Sequence, residues 1–153
     1  MWNCVRFYKV ADETHYRKLE RLYAFAPITS WYGASISISD GEASVSIPIR
    51  PEFFHAANAV HGSVYFRALD DAAYFAANSR VTDVLVLTVN FNLHFTAPVR
   101  EGEISAHGWL LHESGRLLVA ESELRDHTGK LLAKGSGTFT RSRIPLSEEI
   151  GYA

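Results

Sequence analysis

Polar and apolar positions change period along this chain, and each change marks out an element. From Asp12 to Phe25, the residues Tyr16, Leu19, Leu22, Tyr23 and Phe25 recur near helical spacing with charges between them. This predicts a helix that Pro27 ends. Ser35-Ile36-Ser37-Ile38-Ser39 and Ala43-Ser44-Val45-Ser46-Ile47-Pro48-Ile49 then alternate strictly around Asp40-Gly41, a favoured two-residue turn. The predicted hairpin has one apolar face and one face of serines, with Pro48 at an edge or a strand end. Residues 50–60 read as a loop with one helical turn.

The stretch from Gly62 to Ser79, GSVYFRALDDAAYFAANS, is apolar on nearly every side. It predicts a buried helix of about five turns, roughly 27 Å long. Val84 to Phe95 reads as one long strand. Strict alternation would put Leu85, Leu87, Val89, Phe91, Leu93 and Phe95 on one face, and Thr88, Asn90, Asn92 and His94 on the other. Pro98 stops it. Three further strands, Glu103–His112, Arg116–Arg125 and Leu131–Arg141, are joined by turns at Ser114-Gly115 and Thr128-Gly129 and form an antiparallel meander. Residues after Pro145 are expected to be mobile or loosely packed.

A buried helix of this length cannot be covered by the short first helix alone. A curved antiparallel sheet of five to six strands wrapped around it satisfies the burial. The expected class is therefore α+β, with a helical extension over residues 1–30, one domain over 31–144 and a tail over 145–153.

Composition narrows the function classes. The chain has 153 residues, 47% hydrophobic and 21% charged, which suits one compact domain with a real core. A formal net charge of −2 argues against a general nucleic-acid binder, so any cationic ligand site must be local. No run approaches the roughly 18 apolar residues of a membrane span, and the N-terminal MWNCVRFYKVADETHYRK lacks the apolar run of a signal peptide. Cys4 is the only cysteine, so no intrachain disulfide forms. The expected setting is a reduced, cytoplasmic one.

Candidate chemistry gathers around the buried helix, where polar groups are few and each needs a reason. His61-Gly62 opens the helix, Arg67, Asp70 and Asp71 interrupt its middle, His55 lies in the preceding loop, and Thr88 lies on the long strand. A helix start offers free N–H groups and a positive dipole end, and glycine lets a ligand approach. These properties suit an oxyanion site for a carbonyl, and a carboxylate such as Asp70 can activate water or attack directly. Eight residues separate Gly62 from Asp70, about 12 Å along the axis. Asp70 therefore cannot serve Gly62 of its own chain. Either the pair is no site, or a second copy supplies the partner across a two-fold axis.

The strings Val60-His61-Gly62-Ser63 and Leu69-Asp70-Asp71-Ala72, the run from Thr88 to Val99 followed by Gly102, and the closing Gly135-Ser136-Gly137-Thr138-Phe139 resemble hotdog thioesterases of the phenylacetate-degradation type. The resemblance spans roughly residues 35–140. It implies a hotdog fold and hydrolysis of an acyl-CoA thioester at a dimer interface, usually within a tetramer, with CoA arriving as part of the substrate and no further cofactor. By position it implies that the Gly62 N–H binds the thioester oxygen and that His61 orients substrate or loop. Asp70 acts as base or nucleophile from the opposite subunit, and Thr88 positions water. Two positions depart from the pattern. His55 stands where relatives carry asparagine or glutamine, and Ser63 replaces a second glycine.

Each residue also has a plainer reading. His61 can simply cap the helix, Asp70 or Asp71 can pair with Arg67 at i+3 or i+4 spacing, and Thr88 and His55 can be ordinary strand and loop residues. Asp71 is the better salt-bridge candidate. No tight metal-ligand spacing is present, Ser63 lacks a nucleophile-elbow context, and the glycines form no phosphate loop. Ser63, Asn58, Tyr74, Arg100 and Arg141 are candidate contacts to substrate or CoA, and Arg80 and Arg143 lie at similar element ends. Tyr65, Phe66, Phe75, Phe91 and Trp109 are divided between pocket and core. Two other functions compete with hydrolysis: a non-catalytic acyl-CoA-binding protein, and a hotdog dehydratase of hydroxyacyl thioesters, whose usual histidine-proline loop motif is not visible.

Overall fold

A computed structural model describes residues 11–153. Cys4 and the first part of the N-terminal extension lie outside those residues. The first helix, α1 (Glu13–Phe25), starts where Asp12 caps it by accepting a hydrogen bond from the His15 N–H at 3.1 Å. Pro27 does end α1, but it also opens a second short helix, α2 (Pro27–Tyr32), closed by Gly33 in the left-handed conformation at φ 64°. Proline lacks only a donor that a helix start leaves free in any case, so the expected stop is also a start.

The predicted hairpin forms as β1 (Ser35–Ser39) and β2 (Glu42–Pro48), with Pro48 at the strand end. Beyond a 3-10 turn at Pro51–Phe53, the segment read as a loop contains a miniature hairpin, β3 (Phe54–His55) and β4 (Ala59–Val60). Asn58 turns it with φ 60°, a conformation asparagine tolerates better than most residues. The buried helix follows as α3 (Gly62–Asn78), then β5 (Val84–Phe95), β6 (Glu103–Glu113), β7 (Leu117–Asp126) and β8 (Leu131–Pro145).

The six long strands form one antiparallel sheet in the order β1-β2-β6-β7-β8-β5, and α3 packs against every one of them. A single straight helix touches all six only if the sheet curves around it, which is the hotdog arrangement. The inner face of α3 is small: Ala68, Ala72, Ala73, Ala76 and Ala77 are fully buried. The sheet comes closest at Gly108 of β6, where a Cβ would lie 2.4 Å from the Ala72 carbonyl group.

Strand β5 departs from the expected alternation. Thr88 pairs with Phe139 and Asn90 with Thr138, so Val89 is an extra residue bulged out of the ladder. Val86 and Thr88 face α3 before the bulge, and Phe91 and Leu93 pack on the core after it. Leu85 and Leu87 thus do not share a face with Phe91 and Leu93. β5 is also an edge strand, with Leu87 47%, Val89 59% and Phe95 58% exposed.

The C-terminal segment is better anchored than its sequence suggests. Leu146 and Tyr152 pack beside Tyr16, Leu19 and Tyr23 of α1, and the Tyr152 hydroxyl lies 2.7 Å from His15 Nδ1. Arg21 Nε also donates to the Ala153 carbonyl. Among the described residues no helix is long and apolar enough to cross a membrane.

Because the obstacle at Gly108 is backbone rather than a movable side chain, Gly108→Ala is expected to lower stability by about 2 kcal/mol or more. Gly115→Ala, whose Cβ meets nothing within 4 Å, is expected to leave the transition nearly unmoved. Urea denaturation midpoints of the two variants check both outcomes.

Candidate active site

Among the described residues, cavities open at the start and at the middle of α3. The first lies at the helix start, with a volume of about 450 Å³, and is lined by His55, Gly62, Tyr65, Phe95 and the 96–98 segment. Gly62 is the first residue of α3, so its N–H is among the donors that no carbonyl within the helix can reach. A side chain at this position would press on the Phe95 ring, 2.9 Å from a Cβ. Glycine therefore leaves the N–H approachable between the ring and the helix.

His61 caps α3. Its Nδ1 accepts the Ser63 N–H at 3.1 Å and lies 2.8 Å from the Ser63 hydroxyl. The neutral ring that makes this cap carries its proton on Nε2, leaving that atom a donor. His55 sits beside it, with ring centroids 6.5 Å apart, and its own Nδ1 accepts the Ala57 N–H. His55 lines the Gly62 cavity and His61 caps the helix beside it, each tied to its own local backbone. Arg100 reaches the same corner, donating from Nε to the Asn58 carbonyl at 3.1 Å. Arg141 is engaged by Asp83, and Arg80 by Asp40 and Glu113.

The second cavity, about 310 Å³, lies at the middle of α3 and holds Asp70 and Thr88. Here the two adjacent aspartates have different partners. Asp71 is bound by Arg67, Nε to Oδ2 at 2.6 Å, and by the Tyr23 hydroxyl, which donates at 2.9 Å. Arg67 also donates to Thr29 Oγ1 and lies over the rings of Tyr23 and Tyr32. Burial pushes the Asp71 carboxyl up to about 6, against the pull of Arg67 and Tyr23. Asp70 keeps a single hydrogen bond: the Thr88 hydroxyl donates to its Oδ1 at 3.1 Å. Burial raises its carboxyl as well, opposed first by Thr88 and then by Arg67.

The bulge at Val89 makes the Asp70–Thr88 contact possible. With strict alternation continued back from Phe91, Thr88 would point away from α3. Bulges commonly re-aim a side chain in this way. The remaining wall of the second cavity comes from Leu22, Ala26 and Ile28 of the first two helices, and from Tyr74 and Leu87. Phe75 lines it too, and of these residues Tyr74 and Phe75 are the pocket candidates that the sequence offers. No local signal in α1 or α2 says which part of α3 it will meet.

Gly62 and Asp70 thus share a helix but not a cavity. A helix start with an approachable N–H can bind a developing oxyanion, and a desolvated, single-bonded carboxylate can take a proton. In one chain the two groups are too far apart to act on the same atom.

Residues 57–133 match the model of the thioesterase superfamily. A Saccharolobus solfataricus protein that carries an esterase name is 28% identical over 130 residues, covering 84% of this chain and 89% of that one. Among solved structures, the PaaI protein of the E. coli phenylacetic acid degradation operon superposes with a TM-score of 0.82 at 19% identity, covering 90% of this chain and 99% of that one. A Pseudomonas aeruginosa protein does so with a TM-score of 0.72 at 28% identity, covering 76% and 94%. The curved sheet, the helix it enfolds and the family match over its central half together place this chain in the thioesterase superfamily.

Proposed function

We propose that the protein hydrolyses acyl-CoA thioesters at a site completed by two copies of the chain. The observation that carries this reading is the division of Gly62 and Asp70 between separate cavities on one helix. Strand β5 supports it. Asp70 marks the level of Thr88 on that strand, and Gly62 marks the level of Phe95. With Val89 bulged out of the ladder, an antiparallel pairing of two β5 edges centred on Asn92 sets Thr88 of one copy opposite Phe95 of the other. Asp70 of the first copy then stands beside Gly62 of the second, twice per dimer. The same pairing would use the unpaired backbone edge and cover Leu87, Val89 and Phe95, which an isolated chain leaves open to association.

In this site the thioester oxygen accepts the Gly62 N–H at the positive end of α3. The Asp70 carboxylate takes a proton from water as the water oxygen bonds to the carbonyl carbon. Collapse of the tetrahedral species breaks the C–S bond, and the protonated Asp70 returns its proton to the departing sulfur, giving a carboxylic acid and the CoA thiol. Thr88 holds the carboxylate in place through the transfer. His61 fixes the helix start through its cap. Arg100, beside Asn58, supplies positive charge near the cavity where the CoA portion leaves.

Asp70→Asn is expected to lower CoA release from an acyl-CoA by a factor of about 10² to 10⁴, read by a thiol-detecting assay, because it removes the proton acceptor while keeping the shape. Gly62→Pro removes the N–H and also adds a ring against which the Phe95 side chain must shift. Proline suits the first helical position, and His61 already holds the extended ψ of 144° that a residue before proline prefers. An equal loss is expected in this variant. When the two inactive variants are refolded together, random pairing restores about a quarter of the sites. Failure to recover activity in mixed dimers of proven composition would rule out the shared site.

The ionised form of Asp70 is the active one, and burial raises its carboxyl above the ordinary range. Activity is therefore expected to be full above that raised value and lost as pH falls through it. Thr88→Val removes the largest influence holding the carboxyl down, so the acid limb of kcat/KM against pH is expected to move to higher pH. An unmoved limb would show that Thr88 does not act through Asp70.

A further inference from the structure

Arg67 and Asp71 line the same cavity as Asp70, and neither takes part in the mechanism above. Arg67 stands three positions before Asp70 and four before Asp71, so both carboxylates lie within its reach on one face of α3. It is paired with Asp71. We propose that Asp71 is a positioning residue for the reaction: it holds Arg67 away from Asp70, which leaves Asp70 a base in an open cavity rather than half of an ion pair. This rests on the hydrolytic reading above, in which Asp70 takes the proton.

Three observations support it. The first is the way Arg67 is held. Its Nε lies 2.6 Å from Asp71 Oδ2, but no aligned hydrogen bond joins them, so charge rather than direction makes the contact. The same oxygen accepts the Tyr23 hydroxyl at 2.9 Å, which fixes the carboxylate from the α1 side. The ring centroids of Tyr23 and Tyr32 lie 5.7 and 5.4 Å from Arg67 Cζ, and Thr29 Oγ1 accepts from Nη2 at 3.3 Å. Tyr23, Tyr32 and Thr29 all belong to α1 and α2, whereas Asp70 meets Thr88 on β5.

The second is burial. The Arg67 and Asp71 side chains are only 17% and 15% exposed. Removing one partner of such a pair strands the other as an uncompensated buried charge. Deprived of Asp71, Arg67 must find another anion, and Asp70 is the remaining carboxylate in the cavity lining.

The third is the state of Asp70. Burial outweighs the pull of Thr88 and of Arg67 in its present place, so the carboxyl lies above the ordinary range. A guanidinium in direct contact reverses that balance, since an adjacent arginine lowers an aspartate by about 1–3 pH units. It also fills the space in which the attacking water must stand. The other titratable groups around Asp70 are Asp71 and Tyr74 on α3 and Tyr23 on α1; α2 and β5 bring the neutral Thr29 and Thr88.

The test compares the full chain with Asp71→Asn and with the double substitution Arg67→Gln, Asp71→Asn. The measurements are crystallography, NMR titration of the Asp70 carboxyl carbon, and hydrolysis of acetyl-, octanoyl- and benzoyl-CoA. In Asp71→Asn the guanidinium is expected to turn to Asp70, with a nitrogen–oxygen distance under about 4 Å. The Asp70 titration is then expected to move to lower pH by about one pH unit or more. For the acyl-CoA that the wild type hydrolyses best, kcat/KM is expected to fall about tenfold. Removing Arg67 as well takes away the competing cation, so the double variant is expected to regain most of the loss, with Asp70 titrating at higher pH again. A residue that served stability alone gives no such recovery. Tyr23→Phe keeps the ring beside Arg67 but removes the hydroxyl bonded to Asp71, and is expected to move the Asp70 titration the same way by less. With Asp71→Asn, a guanidinium that stays in place or an unmoved titration overturns the assignment, as does a double variant no better than the single one. Where Asp71→Asn does not fold, an unmoved titration in Tyr23→Phe overturns it. If guanidinium and titration move but even the wild type hydrolyses no acyl-CoA, the positioning of Arg67 stands and the hydrolytic reading falls.

Discussion

The close approach of the sheet to α3 governs the rest of the molecule. Alanines line the inner face of the helix, and at Gly108 the strand backbone comes so near that even a methyl group has no room. An inner face committed in this way to apolar contact can hold no charge without a large desolvation cost. The helix's charged residues, Arg67, Asp70 and Asp71, are therefore confined to the opposite stripe, where only α1, α2 and the edge strand β5 can reach them. Packing thus decides where polar chemistry is possible before any functional residue is considered.

On that stripe, two neighbouring carboxylates are separated by their partners. Asp71 is neutralised by Arg67 and tied to Tyr23, a structural assignment that joins α3 to α1. Asp70 faces a cavity with one hydroxyl for company. A cation bound directly to Asp70 would hold it firmly ionised and make it a poor proton acceptor. Because Arg67 is occupied by Asp71, burial dominates at Asp70 and its carboxyl is raised. The ion-paired aspartate thus occupies the cation that would otherwise bind its neighbour.

What could be read from the sequence depended on how local the cause was. The Asp40-Gly41 hairpin and the long apolar helix were legible because turn chemistry and period act within a few residues. The pairing of Arg67 with Asp71 followed from helical spacing, and the separation of Gly62 from Asp70 along α3 from helix rise alone. Three features were hidden by distance along the chain. The Val89 bulge exists only in the pairing of β5 with β8. The tail's anchorage depends on Tyr152 meeting His15, 137 positions away. The second cavity is closed by helices whose apolar faces carry no label saying which part of α3 they will cover. Pro27 was legible as a break but not as the first residue of a new helix.

The bulge also bears on how related chains should be compared. Thr88 faces Asp70 because one extra residue, Val89, shifts the phase of the strand between the core residues Phe91 and Leu93 and the hydroxyl. A chain shorter by that one residue would retain both the aspartate and the threonine in its sequence, yet turn the hydroxyl outward. Among such proteins, a single deletion can disconnect the pair while leaving every functional side chain present, so the count of residues between two motifs carries information that their identities do not.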